Sequence, residues 1–130
     1  MMLSATVTVT ETSAPAQVNV TGVVGIGGAV RAVLSMRCSL NSSIEMAAKM
    51  LGVPVAEAES QRCDAVGEIC NILAGDFKKR IGLGDKCVLS IPTVIAGGDY
   101  RIHSVLADER LELSLVFEGE PIWIALEIRK

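Results

Sequence analysis

The stretch Ser60-Gln-Arg-Cys-Asp-Ala-Val-Gly-Glu-Ile-Cys-Asn-Ile-Leu-Ala-Gly-Asp-Phe-Lys-Lys-Arg-Ile81 decides the fold, because it predicts one long amphipathic helix. Ser60 is suited to cap its N-terminus, and the basic residues 78–80 suit the negative end of the helix dipole. The apolar residues recur close to the i, i+3, i+4 spacing of a helix with one buried side, at Val66, Ile69, Cys70, Leu73, Ala74 and Phe77.

A polar stripe runs along the opposite side of this helix. Asp64, Glu68 and Asn71 are spaced i, i+4, i+7, which places them on one narrow face, and Gly75 and Lys78 continue that face. Two carboxylates one turn apart repel each other, and a glycine inside a helix costs up to about 1 kcal/mol relative to alanine. The stripe is therefore a candidate binding surface, and the alternative is an ordinary solvated face.

The segments around the long helix predict strands. Before it, alternating residues indicate strands at 3–11, 17–24 and 29–36, with the glycine run 25–28 as a hairpin turn. A first helix, capped by Asn41, Ser42 or Ser43, runs to about Leu51 and ends at Gly52. Later strands are expected at 86–91, 93–96, 101–106, 111–117 and 122–128. The tally predicts an α+β fold, a mostly antiparallel sheet with two main helices packed on one face.

Composition narrows the class of protein. The 130 residues fit one domain, 1–130, and half of them are hydrophobic while 3% are aromatic, so the core must be aliphatic. The net charge is -3 and the only basic run is Lys78-Lys79-Arg80, which argues against nucleic-acid binding. No apolar run is long enough for a membrane span, and the N-terminus lacks the features of a signal peptide. We expect a cytoplasmic protein.

The chain carries few groups that could do chemistry by themselves. Its four cysteines form no Cys-x-x-Cys pair, and their spacing suits neither zinc nor a disulfide framework. His103, the single histidine, falls in a predicted edge strand without a Ser, Cys or Asp at a recognised spacing, which favours a structural role. An enzyme built from these residues would lack its own nucleophile, metal and general-base histidine. Its substrate would have to be activated already.

Several separated segments carry a resemblance to a known family. The pattern Asp64-x-x-x-Glu68-x-x-Asn71, followed by Ile91-Pro-Thr-Val-Ile95, resembles the CheX/CheC family of bacterial chemotaxis phosphatases. The segments 21–35 and 45–52 resemble that family's glycine hairpin and first helix, so the likeness covers roughly 18–102. A single Glu-x-x-Asn motif is closer to CheX than to CheC, which carries two. CheX-like chains often begin with an extra helix, whereas this chain begins with a predicted strand.

The resemblance implies a fold, a reaction and a role for each residue of the stripe. It implies a single CheX-like domain of CheC-like fold that hydrolyses the phosphoaspartate of a CheY-like receiver domain, as a homodimer. Asn71 would orient the attacking water, and Glu68 would pair with the receiver's lysine. Asp64 would add a peripheral contact and Pro92 would shape the loop beside the helix, with Gly75 and Lys78 as further partner contacts. The chain would hold no metal or cofactor of its own, because the receiver supplies Mg²⁺.

Two other functions remain as alternatives. The first is a non-catalytic receiver-binding or scaffold module of a chemotaxis or flagellar signalling complex, although the presence of both Glu68 and Asn71 favours the enzyme. The second is a redox sensor using Cys63 and Cys70. At i, i+7 on one helix these thiols are about 10 Å apart along the axis, which is too far for a disulfide. The sequence does not name the cognate receiver or the signalling pathway.

Overall fold

The computed structural model describes residues 7–10, 18–82, 84–97, 107–117 and 119–129. The helices are α1 (Leu40–Leu51), α2 (Val55–Ala58) and α3 (Arg62–Arg80), and a 3-10 turn at Glu59–Gln61 joins α2 to α3. The strands are β1 (Val7–Thr10), β2 (Val20–Gly28), β3 (Arg31–Cys38), β4 (Cys87–Leu89), β5 (Thr93–Ala96), β6 (Glu109–Phe117) and β7 (Glu120–Arg129). Within these ranges no helix is long and apolar enough to cross a membrane.

All seven strands belong to one sheet, in the order β1-β6-β7-β3-β2-β4, and every pair is antiparallel. The short strands β4 and β5 lie one after the other along the same side of β2. Ile26 of β2 lies opposite Leu89, and Val23 lies opposite Thr93. Two residues of β2 separate these pairs, whereas three residues, 90–92, separate them on the other side. The edge therefore carries a one-residue bulge at 90–92.

Both long helices pack on one face of this sheet, which confirms the predicted α+β class. The side chains at even positions of β2, β3 and β7 point toward the helices, and most of them are buried. They form one aliphatic core with the inner side of α3, made of residues such as Val20, Val24, Leu34, Met36, Ile122, Val66, Ile69 and Ala74. The core is therefore mainly aliphatic, as the low aromatic content of the sequence predicted.

Two local predictions about turns and caps were wrong. Residues 25–28 do not form the hairpin turn, because β2 continues through Gly28 while β3 pairs with one side of it and β4 with the other. The chain turns at residues 29–30 instead, after Gly28 adopts a φ of +119°. Ser60 does not cap α3 either. It lies in the 3-10 turn, and α3 begins at Arg62 with no side-chain cap.

The first helix begins and ends close to the predicted positions. Its cap is Ser39, whose Oγ accepts a hydrogen bond from the backbone N–H of Ser42 at 3.1 Å, rather than Asn41, Ser42 or Ser43. Gly52 ends the helix as predicted, in a left-handed conformation with φ of +66°. Part of the predicted first strand, the strand at 101–106 and His103 lie outside the described residues.

The closest approach between helix and sheet occurs at Gly22 of β2. A Cβ atom at this position would lie 2.6 Å from Cys70 Sγ and 2.9 Å from Val66 Cγ1, so no side chain larger than hydrogen fits there. Gly67 of α3 makes a second close contact, where a Cβ would lie 3.4 Å from Val94 Cγ2 and 3.5 Å from Pro92 Cβ. The two glycines let α3 lie directly on β2 and on the bulged edge.

Replacing Gly22 with alanine is expected to lower the free energy of unfolding by about 1–3 kcal/mol, because the new methyl group overlaps Cys70 and Val66. The matched control is Gly27→Ala in the same strand, where nothing lies within 4 Å of the added Cβ. That control is expected to leave stability unchanged or to raise it by up to about 1 kcal/mol. Urea unfolding followed by circular dichroism compares the two. Equal stabilities would contradict the close contact described here.

Candidate functional site

The predicted polar stripe lies on the outward side of α3. Asp64 and Glu68 are exposed, and Asn71, Gly75 and Lys78 are half-buried. Glu68 and Asn71 are separated by about 4.5 Å along the helix axis. The inner side of the same helix is buried against the sheet, which holds the stripe on a rigid element. The structure therefore places all five predicted helix residues on one outward surface.

Two grooves flank the stripe. The groove toward the bulged edge, which we call the edge groove, encloses about 480 Å³ and is lined by Asn71, Lys78, Cys87, Val88, Leu89, Ser90, Ile91 and Pro92. The groove toward α1 encloses about 210 Å³ and is lined by Met50, Leu51, Gln61, Asp64, Ala65 and Glu68. Asn71, Lys78 and Pro92 therefore line the edge groove together. Asp64 and Glu68 line the groove on the α1 side of α3.

A hydrogen bond from Lys78 joins the C-terminal end of α3 to the sheet. Its Nζ donates a hydrogen bond to the backbone carbonyl of Cys87 at 3.2 Å. Gly75 lies one turn earlier, where a Cβ would be 3.9 Å from Leu89 Cδ1, an ordinary contact distance. Lys78 lines the edge groove, and Gly75 lies next to its wall at Leu89. Their predicted role as partner contacts stays a prediction.

Hydrogen bonds hold the bulge that forms the far wall of the edge groove. The backbone N–H of Ser90 donates to the carbonyl of Gly25 at 2.8 Å, and the N–H of Gly25 donates to Ser90 Oγ at 2.8 Å. Pro92 lies next to Gly67 of α3, and its predicted role in shaping this loop stays a prediction. The bulge leaves Ile91 with 88% of its surface exposed.

Sequence reasoning assigned a role to Pro92 but overlooked Ile91 as a surface feature. An isoleucine before a proline at a strand end was the available signal. A large apolar side chain exposed to this degree, beside a groove lined by Asn71, is typical of a protein-binding surface.

Two of the four cysteines, Cys38 and Cys70, are buried thiols with a raised pKa. Burial raises the pKa of Cys70 from 9.0 to about 12. It also raises the pKa of Cys38 to about 12, with smaller contributions from Cys70 and Cys63. Both thiols are therefore protonated and poorly reactive at neutral pH, which weakens the redox-sensor alternative. All four cysteines are free.

The described residues also contain no group of three or more His, Cys, Asp or Glu side chains that could hold a metal ion. What the stripe does offer is a neutral amide and a carboxylate one turn apart. An amide both donates and accepts hydrogen bonds, so it can position a water molecule. A carboxylate can pair with a cation on a partner.

Comparison with known proteins agrees with this fold. The strands and helices define an α+β protein with its long helices on one face of an antiparallel sheet. The family model described as "Chemotaxis phosphatase CheX" matches residues 20–115, which is more than half of the chain. The chain therefore belongs to the CheX family of chemotaxis phosphatases, as its motifs predicted. A comparison with curated proteins finds no match.

Solved structures show the same fold. CheX from Vibrio vulnificus is 21% identical, with a TM-score of 0.80 over 98% of this chain and 86% of its own. A CheX-CheY-BeF3-Mg complex from Borrelia burgdorferi includes a chain 19% identical, with a TM-score of 0.79 over 99% and 88% of the two chains. A CheC-like superfamily protein from Shewanella sp. PV-4 is 21% identical, with a TM-score of 0.67 over 100% and 86%. The predicted CheC-like fold is confirmed.

Proposed function

We propose that this protein is a single-domain, cytoplasmic phosphatase that hydrolyses the phosphoaspartate of a CheY-like receiver domain. Membership of a phosphatase family supports the reaction, and the Borrelia complex of CheX with CheY supports the class of partner. The observation that carries the proposal is the position of Asn71. It is half-buried at the rim of the edge groove, one turn from the exposed Glu68 and on a helix held rigidly against the sheet.

The reaction needs little from this chain, because an acyl phosphate is already reactive. Water attacks phosphorus in line, the bond from phosphorus to the aspartate oxygen breaks, and the carboxylate leaves. The side-chain oxygen of Asn71 accepts a hydrogen bond from that water and so orients its lone pair toward phosphorus. A neutral amide does this without repelling the phosphoryl oxygens, which a carboxylate at the same position would do. Asn71 is therefore the catalytic residue of the proposal.

Glu68 takes the second role, that of engaging the receiver. Its exposed carboxylate is assigned to the receiver's lysine, so that the two proteins dock with Asn71 facing the phosphoryl group. Asp64, exposed one turn earlier, adds a peripheral contact. Mg²⁺ enters with the receiver in this proposal. Magnesium in the Borrelia complex, together with the lack of a ligand cluster in the part of this chain that is described, supports that assignment.

Asn71→Ala is expected to nearly abolish dephosphorylation while leaving receiver binding within a few-fold, because it removes the amide that positions water. Glu68→Ala is expected to weaken binding and turnover together, since losing one partner of a desolvated charge pair can cost about 2–5 kcal/mol. Both side chains lie on the outward side of α3, so neither change should unfold the protein. The measurement is the phosphoaspartate lifetime of a receiver with and without each variant, alongside a binding assay.

The matched controls are Asn41→Ala, an exposed asparagine on α1, and Glu57→Ala, an exposed glutamate on α2. Both should behave as wild type. Wild-type protein that binds a phosphorylated receiver without shortening its lifetime would make the scaffold alternative correct. An Asn71→Ala variant as active as wild type would refute the mechanism even in a functioning phosphatase.

Ile91 is assigned to the docking surface as an apolar contact beside Asn71. Ile91→Ser is expected to raise KM for the phosphorylated receiver several-fold with little change in kcat, because the contact is equally present in the ground and transition states. The control is Leu111→Ser on β6. Leu111 is also exposed, at 51%, but the strands β7, β3 and β2 separate β6 from the edge strands β4 and β5. A fall in kcat at unchanged KM, or an equal effect of the control, would remove Ile91 from the docking surface.

The protein is also proposed to be a homodimer. The described sheet ends in β1 on one side and in β4 and β5 on the other, and such edges present unpaired backbone groups that can pair with a second chain. We expect light scattering to give twice the monomer mass at high micromolar concentration. A mass of one chain under those conditions would contradict the dimer.

A further inference from the structure

The face of the sheet that carries no helix holds a third groove, which shares Val88, Leu89 and Ser90 of the sheet edge with the edge groove. It encloses about 780 Å³ near the turn between β2 and β3, and its lining includes Gly25, Gly27, Arg31, Val33, Val88 and Arg129. The odd-numbered residues of β2, β3 and β7 point to this face, because the even-numbered ones point into the core beneath the helices. We call it the arginine groove.

Gly27 lies in the floor of the arginine groove, and neither its packing nor its backbone conformation requires a glycine. A Cβ at Gly27 would have nothing within 4 Å, and its backbone does not adopt a positive φ. Its neighbours differ. A Cβ added at Gly25 would lie 3.4 Å from Ser90 Oγ, and Gly28 has a φ of +119°. Glycine inside a strand weakens it, and it often marks a place where a ligand or another backbone approaches closely. At Gly27 the omitted side chain leaves the floor of the groove open.

Two arginines lie at the end of the groove, and no acidic side chain among the described residues pairs with either of them. Arg31 of β3 and Arg129 of β7 are direct partners in the sheet register, so both side chains leave the same face. Both side chains are exposed, and among the described residues neither guanidinium group has a hydrogen bond or an ion pair. Like charges directly opposite each other destabilise a sheet. Glu127, which also lines the groove, is buried and bonded to Arg110.

We propose that the arginine groove binds a small molecule that joins a phosphate or carboxylate group to a flat or apolar body. The two guanidinium groups receive the anion, for which their planar donors are well matched. The body lies over Gly25 and Gly27, between Val33 and Val88. The anion relieves the repulsion between the arginines, and the open floor at Gly27 admits the body. This proposal does not depend on the phosphatase activity, because α3 lies on the other face of the sheet.

The test titrates the purified protein with four probes up to millimolar concentration. Two join an anion to a flat body, adenosine monophosphate for the phosphate source and phenylacetate for the carboxylate source. Adenosine has the body alone and inorganic phosphate has the anion alone. Calorimetry measures affinity, and amide chemical shifts locate the site. At least one of the first two is expected to bind more tightly than its separate parts and to shift the resonances of Gly27, Arg31 and Val88. The probe that binds identifies the anion.

Variants distinguish a specific binding site from a general attraction of anions to positive charge. Arg31→Gln and Arg129→Gln are each expected to weaken binding about ten- to hundredfold, as for the loss of a charged hydrogen bond. Arg80→Gln, an exposed arginine on α3, removes the same charge and should have no effect. Gly27→Val should fold, because its side chain enters open space, yet weaken binding by occupying the floor. Binding by neither anionic probe overturns the proposal, and so does equal loss in Arg31→Gln and Arg80→Gln.

Discussion

The contact of α3 with Gly22 is the constraint on which the rest of the structure depends. An added Cβ at Gly22 would lie 2.6 Å from Cys70 Sγ, so any side chain at this position would push the helix away from β2. Residues on its inner side, such as Val66 and Ala74, are buried completely as a result. Because the inner side is fixed, the outer side is fixed as well. The direction in which Glu68 and Asn71 point is therefore set by a glycine in the middle of the sheet.

The same close packing accounts for the groove beside Asn71. Gly67 brings α3 against Pro92 and Val94, so the helix lies next to the edge of the sheet as well as on its centre. The bulge at 90–92 then rises beside the helix, held by the two hydrogen bonds between Ser90 and Gly25. In a regular strand the side chain of Ile91 would point to one face of the sheet. The bulge leaves it in solvent beside a polar amide, which is how an apolar contact and a water-positioning group come to share one surface.

The two faces of the sheet differ in charge as well as in packing. The helix face is aliphatic, and its acidic stripe belongs to α3 rather than to the strands. The other face carries ionic side chains directly on the strands, with Arg110 and Glu127 paired and Arg37 over the ring of Trp123 at 5.6 Å. Arg31 and Arg129 differ from these pairs, because they lie directly opposite each other and neither side chain has an ion pair among the described residues. An unbalanced pair beside an unexplained glycine is what distinguishes the arginine groove from an ordinary sheet surface.

The sequence by itself determined the elements and their inward faces, because those follow from periods of about 3.6 and 2 that repeat within one segment. The long helix, its stripe from Asp64 to Lys78, the end of α1 at Gly52 and the α+β class were all predictable in this way. The tertiary structure decided the rest. A glycine run such as 25–28 suits a turn or a strand equally, and pairing with β3 and β4 made it a strand. The exposure of Ile91 follows from a register shift between β2 and its edge, and the Arg31–Arg129 pair joins strands distant in the chain. Such features depend on which strands meet and in what register, and no local pattern carries that information.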